Sequence, residues 1–427
     1  MAAQSRRPGP VTRGLRVPNW GPKASLFQWR EPAFWGYVLL LLVTGVIAAL
    51  WMLGLLLTSP GGFVLSWILM LFYLLPMFVV IYFLDFYDRE PLSLVFAALL
   101  WGMIAATSLS LVGNTQWSEV IARVAGPDFA ATWSAALTAP IIEESFKGIG
   151  VVLIYLIARR EMNDIMDGFV YGAMVGLGFT VVEDVHYFIG AFGGTIEGIV
   201  AGFFWRVVVS GLYGHVIYTG LVGIGIAYFV TRKEEASLGK RWLVSAGLIF
   251  SAVFAHFLWN SPLLNLIPPE ETSAGLTILL QLVTITLKGV PFLAFLILML
   301  VLARRRERYW LRKSIEAELG GPGLQPGELQ ILMDNKQRRR SRNELRQRAG
   351  PVAAGLLGQL QKEQIKLAMI RTRAASQDHP DLVRQRARLQ DLRNQLAYAM
   401  SGRPPAGQFG PSGPGGPGGS PAAYPHR

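Results

Sequence analysis

Residues 35–57, 63–84 and 92–112 contain no charged side chain at all. A helix of about 20 apolar residues crosses the hydrocarbon of a bilayer, and inside that solvent every backbone polar group must find its partner within the chain. Stretches 131–158, 167–190, 208–230, 242–260 and 275–303 are also long enough to span, although each carries a few polar groups. The expected fold is therefore all-α: a polytopic membrane bundle of about eight transmembrane helices. Residues 196–207, apolar except for Glu197 and Arg206, suit an interfacial or half-inserted segment ahead of the sixth span.

Composition agrees. Charged residues make up 16% of the chain, whereas a soluble domain has roughly 25%. The absence of cysteine excludes disulfides, cysteine-ligated zinc, iron–sulfur clusters and a thiol nucleophile.

The net charge of +12 is unevenly spread. Residues 1–30 form a basic arm of six cations with no acid, and residues 31–303 are apolar and slightly acidic. Residues 304–401 form a basic, partly helical tail, and 402–427 a Pro/Gly-rich end expected to be disordered. Short loops set orientation through their cations. With both termini cytoplasmic, the inside holds the arm, Arg89, Arg159, Arg160, Arg232, Lys233, Lys240, Arg241 and the tail, against Arg123 and Arg206 outside. A multi-pass cell-membrane protein follows, with Arg304–Arg306 as a stop-transfer cluster.

In the tail, 328–349 and 380–400 read as polar helices. Leu382, Leu389 and Leu396 recur every seven residues, enough for two or three helices to pair loosely. The run 337–342 is basic, but no aromatic interleaving or module supports nucleic-acid binding, and none is expected. Anionic lipid at the cytoplasmic face is the simpler partner.

Ionisable groups within spans cost ~2.5–3.5 kcal/mol each and default to functional candidates. The fourth span holds Glu143, Glu144 and Lys147, so one lysine reaches either carboxylate at i,i+4 or i,i+3. The fifth holds Phe179, Glu183, Asp184 and His186, with Glu183 and His186 on one face. The sixth holds His215 with Thr219 one turn on, and the seventh His256 with Asn260 one turn on. Counted at ~1.5 Å per residue, Glu143, Glu183, His215 and His256 lie ~6–18 Å from the outer ends of their spans. They read as one site opening outward. Simpler readings exist for some: Asp184 and His186 as helix-end polars, Arg206 as a cation reaching the interface. Lys288, in the eighth span, has no evident partner beyond the bundle interior.

These motifs, E-E-x-x-K, F-x-x-x-E, a span histidine with threonine four on, and H-x-x-x-N, resemble in kind and order those of the PrsW-type intramembrane proteases. That family shares a superfamily with the type II CAAX prenyl endopeptidases and the Abi proteins. Asp167-Gly168, Tyr171-Gly172 and 176–179 resemble the family's Gly-rich motif, and Asp88-Arg89-Glu90-Pro91 another. Asp184 departs from the asparagine more usual there. The resemblance covers about residues 84–260 and implies an enzyme of the bacterial plasma membrane that hydrolyses peptide bonds of membrane-anchored proteins, anti-sigma factors among them.

The residues suit that chemistry. Water needs a base and the developing oxyanion needs donors. Glu143 or Glu144 is the candidate base, with Glu143 preferred for its i,i+4 spacing to Lys147. Glu183, His215, His256 and Asn260 complete the candidate catalytic set, with Lys147, Phe179, Asp184, Thr219 and Arg206 supporting it. His215 and His256 suit holding the water or protonating the leaving amine. Asn260 suits donating to the oxyanion or orienting His256.

Glu143, Glu183, His215 and His256 would also accept a divalent metal such as zinc. No H-E-x-x-H is present, so metal and metal-free glutamate mechanisms both remain open. Ser145 has no histidine at helical spacing and is not a convincing nucleophile. A transporter or proton-coupled channel would bury similar groups, but it predicts inverted repeats. No repeat is evident, and the Glu143–Glu144 pair has no counterpart in the other half.

Overall fold

The computed structural model describes residues 25–85, 89–159, 161–233, 235–266, 272–321, 323–371 and 379–401. The ends at 1–24 and 402–427, together with Asp88 and Arg160, lie outside them. The described residues are helical apart from turns and one isolated bridge, Leu319 to Leu324. They form two compact units that divide within one long helix, at Tyr309 and Trp310.

The first unit contains α1 (Pro32–Thr58), α2 (Pro60–Leu84), α3 (Leu92–Leu100), α4 (Thr107–Ala125), α5 (Pro127–Ile157), α6 (Ile165–Gly190), α7 (Ile196–Phe203), α8 (His215–Thr231), α9 (Leu238–Asn260) and most of α10 (Ala274–Glu316). Proline begins α1, α2 and α5, where its missing N–H costs nothing. Asp164 opens α6 with a capping box closed by Asp167.

Among the described residues, seven helical stretches are long and apolar enough to cross a membrane, and the chain is a multi-pass membrane protein. α5, the remaining one of the expected eight, is 31 residues long, but Glu143, Glu144 and Lys147 keep it out of that set. The third span continues well beyond residue 112: α3 passes through a π-helical turn, Trp101–Ala106, directly into α4 and ends at Ala125. The sixth is shorter than expected. α7 runs into a second π-helical turn, Phe204–Val209, and the chain breaks before α8 begins at His215.

α6 is the central helix, buried along almost its whole length, while α1, α2 and α10 expose leucine, valine and phenylalanine outward. Its glycines set how closely its neighbours approach. A Cβ on Gly172 would stand 2.2 Å from the Thr219 carbonyl oxygen, and one on Gly176 would stand 2.3 Å from that of His215. Backbone thus lies on backbone between α6 and α8, the close approach that small residues permit in membrane bundles.

One end of the bundle is tied by charge. Arg232 pairs with Asp164 at 2.9 Å, Arg306 pairs with Glu235, and Arg304 donates to the Leu84 carbonyl at 2.9 Å. The Arg304–Arg306 cluster thus ties α10 to the end of α2, the start of α6 and the turn after α8.

In the second unit, α11 (Glu328–Met333), α12 (Asn335–Arg371, kinked at Gly350) and α13 (Pro380–Ser401) pack together. Leu382, Leu389 and Leu392 are buried, and Glu318 is held by Arg371 and Arg386. The loose helical pairing expected for the tail is the arrangement found, although Leu396 is only partly buried and α12 is much longer than its sequence signal.

Candidate active site

α5 carries the centre of the site. Lys147, fully buried, donates from Nζ to Glu143 Oε2 at 3.0 Å and to Glu144 Oε1 at 2.9 Å. Ser145, between the two face positions, points outward and is exposed. α4 reaches α5 through a single residue, Gly126, whose φ of +91° only glycine adopts without strain. That tight hairpin lays Asn114 against Glu143, and its Nδ2 donates to Glu143 Oε1 at 3.0 Å.

α6 and α8 supply the next layer. The Phe179 ring lies 3.7 Å from Lys147 Nζ, so an aromatic face takes the place of water around the ammonium. Thr219 Oγ1 donates to Glu144 Oε2 at 2.9 Å. His215 has both ring nitrogens engaged, Nδ1 with Lys147 Nζ at 2.8 Å and Nε2 with Glu183 Oε2 at 3.0 Å. An ammonium only donates, so Nδ1 accepts and Nε2 carries the hydrogen, a tautomer assigned from its partners. Arg206, on the second π-helical turn, pairs with Glu183 at 3.0 Å and with Asp184.

α9 closes the site. His256 Nδ1 lies 3.2 Å from Glu144 Oε1, its Nε2 lies 3.9 Å from Glu143 Oε2, and its ring stacks on Tyr218. Asn260 lines the same cavity, but its Nδ2 donates to the Ala135 carbonyl at 3.3 Å rather than to His256. Lys288 caps the end of α9, donating to the carbonyls of Ser261 at 2.7 Å and Trp259 at 3.3 Å.

A cavity of about 330 Å³ meets this cluster. Glu143, Glu183, His215, His256, Arg206, Asn114 and Asn260 line it, whereas Glu144, Lys147 and Thr219 lie behind its wall. Ser118, Ser134 and Asn260 place it toward the end of the bundle that carries the Gly126 turn. The Asp164–Arg232 pair is at the opposite end.

Residues 90–302 match the family described as PrsW family intramembrane metalloprotease. This membrane domain belongs to the PrsW family. Protease PrsW of Geobacillus kaustophilus (strain HTA426) is 29% identical over 165 residues, 38% of this chain and 67% of that protein. Protease PrsW of Bacillus subtilis (strain 168) is 29% identical over 109 residues, which span 26% of this chain and 47% of the relative. No solved structure matches the chain.

A PrsW-family metalloprotease implies a metal, and the cluster fits one. Glu143, Glu144, His215 and His256 each offer a ligand atom, all within 4.8 Å of one another. Three of those residues already direct lone pairs at one cation, the Lys147 ammonium. Four carboxylates, Glu143, Glu144, Glu183 and Asp184, face two cations, Lys147 and Arg206. With neutral imidazoles two negative charges are left over, and a divalent ion would balance them. Glu144 replaces Glu183 in this donor group, because Glu183 stands on the far side of the His215 ring.

The sequence-level candidates are otherwise brought to one place in this PrsW-family domain. Asp184 is not a helix-end polar and Arg206 is not a snorkelling cation: Asp184 is 1% exposed and the two pair inside the bundle. His186 packs against the Trp51 ring at the cavity wall. Asn114 and Tyr218 were missed. Tyr218 shares a face with His215 at i,i+3, a usable signal, but Asn114 falls just beyond the apolar run that ends at residue 112.

Proposed function

We propose that this chain is an endopeptidase that hydrolyses peptide bonds of membrane-anchored proteins, with water as nucleophile and Glu143 as its base. One observation carries the assignment: of the paired carboxylates, only Glu143 both joins the buried knot and faces the cavity. Glu144 has Oε1 bound by Lys147 and His256, and Oε2 by Thr219. Its oxygens are spent on holding other groups.

Asn114 and Lys147 fix the two oxygens of Glu143, so the carboxylate meets an incoming water without reorganising. Glu143 takes the proton as the water oxygen bonds to the scissile carbonyl carbon, and it is placed to return that proton to the amine as the C–N bond breaks. His256 faces Glu143 through Nε2 and has its tautomer set by Glu144 at Nδ1, the arrangement by which an outer carboxylate orients a ligand imidazole. His215 is held from both sides by Lys147 and Glu183, with Arg206 fixing Glu183. His215 and His256, backed by Glu144, would hold a divalent ion such as zinc. When bound it would acidify water and polarise the carbonyl, the chemistry of metal hydrolases.

The substrate class proposed is a single-pass membrane protein of the anti-sigma-factor type, with both enzyme termini in the cytoplasm and the basic tail against anionic lipid. The test places Glu143→Gln, Glu144→Gln, His215→Ala and His256→Ala in cells with a membrane-anchored reporter. Uncut reporter should accumulate while each variant stays folded by protease protection. Normal processing by all four variants overturns the proposal.

A further inference from the structure

α4 presents a polar stripe of which the chemistry above uses only the Asn114 Nδ2. Thr107, Ser110, Asn114 and Ser118 follow one another at spacings of three, four and four, which keeps them on one helix face, and all four line the cavity. In an apolar span such a stripe needs a reason, since unpaired polar groups are costly there. The usual reason is a hydroxyl that bonds back to the carbonyl one turn earlier. Thr107 does this with Gly102, Thr115 with Leu111, and Thr138 on α5 with Ser134. Ser110 does not. Its side chain is 1% exposed, and its Oγ has no hydrogen-bond partner among the described residues. One turn on, Asn114 spends Nδ2 on Glu143 and leaves Oδ1 buried and likewise unpartnered.

We propose that this stripe is the binding track for the substrate's main chain, and that it takes a segment unwound from its transmembrane helix. The inference rests on the peptidase reading and names how that substrate lies. A helical substrate has its amides paired internally and its carbonyls shielded, so hydrolysis needs a few residues drawn into extended form. Those residues bring unpaired N–H and C=O groups into an apolar region. Asn114 Oδ1 accepts from a substrate N–H, and Ser110 Oγ–H donates to a substrate carbonyl. From Thr107 to Ser118 the stripe is ~16 Å long, which matches about five residues of extended chain. Because Asn114 touches Glu143, a chain lying along the stripe passes the base near its middle.

The chain has no cysteine of its own, so single cysteines report position cleanly. The full chain carrying Glu144→Gln, to spare the substrate, and Ser118→Cys is placed in proteoliposomes. A single-pass reporter with one cysteine at successive positions around its cut site is added, and disulfides are trapped. Alternate reporter positions should cross-link, the period of an extended chain. A period of three to four, no cross-link, or cross-linking confined to a Trp51→Cys control on the other wall overturns the track.

In the otherwise unmodified enzyme, Ser110→Ala should raise KM about three- to tenfold with little change in kcat, and Ser110→Thr should restore much of it. An unchanged KM in Ser110→Ala also overturns the track. A reporter cut by the parent without Ser118 cross-links removes the track alone. A reporter neither cut nor cross-linked removes the peptidase reading together with it.

Discussion

Replacing Lys147 by methionine keeps the length of the side chain and removes its charge, which isolates what the ammonium does. Lys147 contacts Glu143 at 3.0 Å and Glu144 at 2.9 Å, and none of the three side chains is more than 5% exposed. At an effective dielectric of about 20, a unit-charge contact of that length is worth ~5 kcal/mol. Most of that attraction offsets the cost of desolvating the ions, and removing one partner from a buried pair has a net cost of about 3–5 kcal/mol. Lys147→Met should therefore destabilise the membrane unit by about that amount, since two carboxylates on adjacent residues lose their common counter-ion. The assay is denaturant-induced unfolding in detergent, followed by tryptophan emission. Trp101 is a local reporter, being fully buried and donating from Nε1 to the Phe146 carbonyl at 2.9 Å. The triple variant Glu143→Gln, Glu144→Gln, Lys147→Met keeps the shapes without the charges and should regain most of the loss. A Lys147→Met protein as stable as its parent, or a triple variant no better than the single, would refute the picture of a charge-held knot.

Two further outcomes follow from packing and proton linkage. Gly172→Ala puts a Cβ 2.2 Å from the Thr219 carbonyl and should cost about 1–3 kcal/mol and lower cleavage by shifting the Glu144 support, whereas Gly247→Ala meets open space and should change neither. Equal effects of the two substitutions, measured by unfolding and reporter cleavage, would count against the helix contact. Glu90, in the loop before α3, has its carboxyl pushed well above the usual 4.5 by burial and then by neighbouring Asp167. A pKa raised on folding favours the folded state below about 4.5, and that contribution is lost as pH rises through the folded value. Glu90→Gln should flatten this fall in stability as pH rises above about 4.5, and a decline as steep as the parent's would refute the assignment.

What the sequence makes legible here is chemistry carried within one helix. Glu143, Glu144 and Lys147 meet because i,i+3 and i,i+4 neighbours on a helix must, and no tertiary information is needed. The pairing of α6 with α8 was half-visible, as glycines spaced by four, but which carbonyls they admit depends on register. Apolarity hides backbone breaks: residues 208–230 read as one uninterrupted span, while the chain actually turns at 210–214 so that His215 starts a helix. The third span ends at 112 by hydropathy because Gly113, Asn114, Thr115 and Gln116 interrupt the apolar run, although the helix itself continues to Ala125, and Asn114 is hidden with them. Arg206 and Lys288 were misread or left without partners for a different reason. Their partners, Glu183 with Asp184 and the end of α9, come from other helices.

The most direct measurement is the turnover of a purified single-pass reporter in proteoliposomes by the parent, Glu143→Gln and Ser145→Ala. Glu143→Gln should lose at least about a hundredfold in kcat, the contribution of a general base, while remaining folded. Ser145→Ala, whose side chain points away from the knot, should cleave at the parental rate. Parental turnover by Glu143→Gln, or loss of turnover in Ser145→Ala, would contradict a glutamate-activated water at this site.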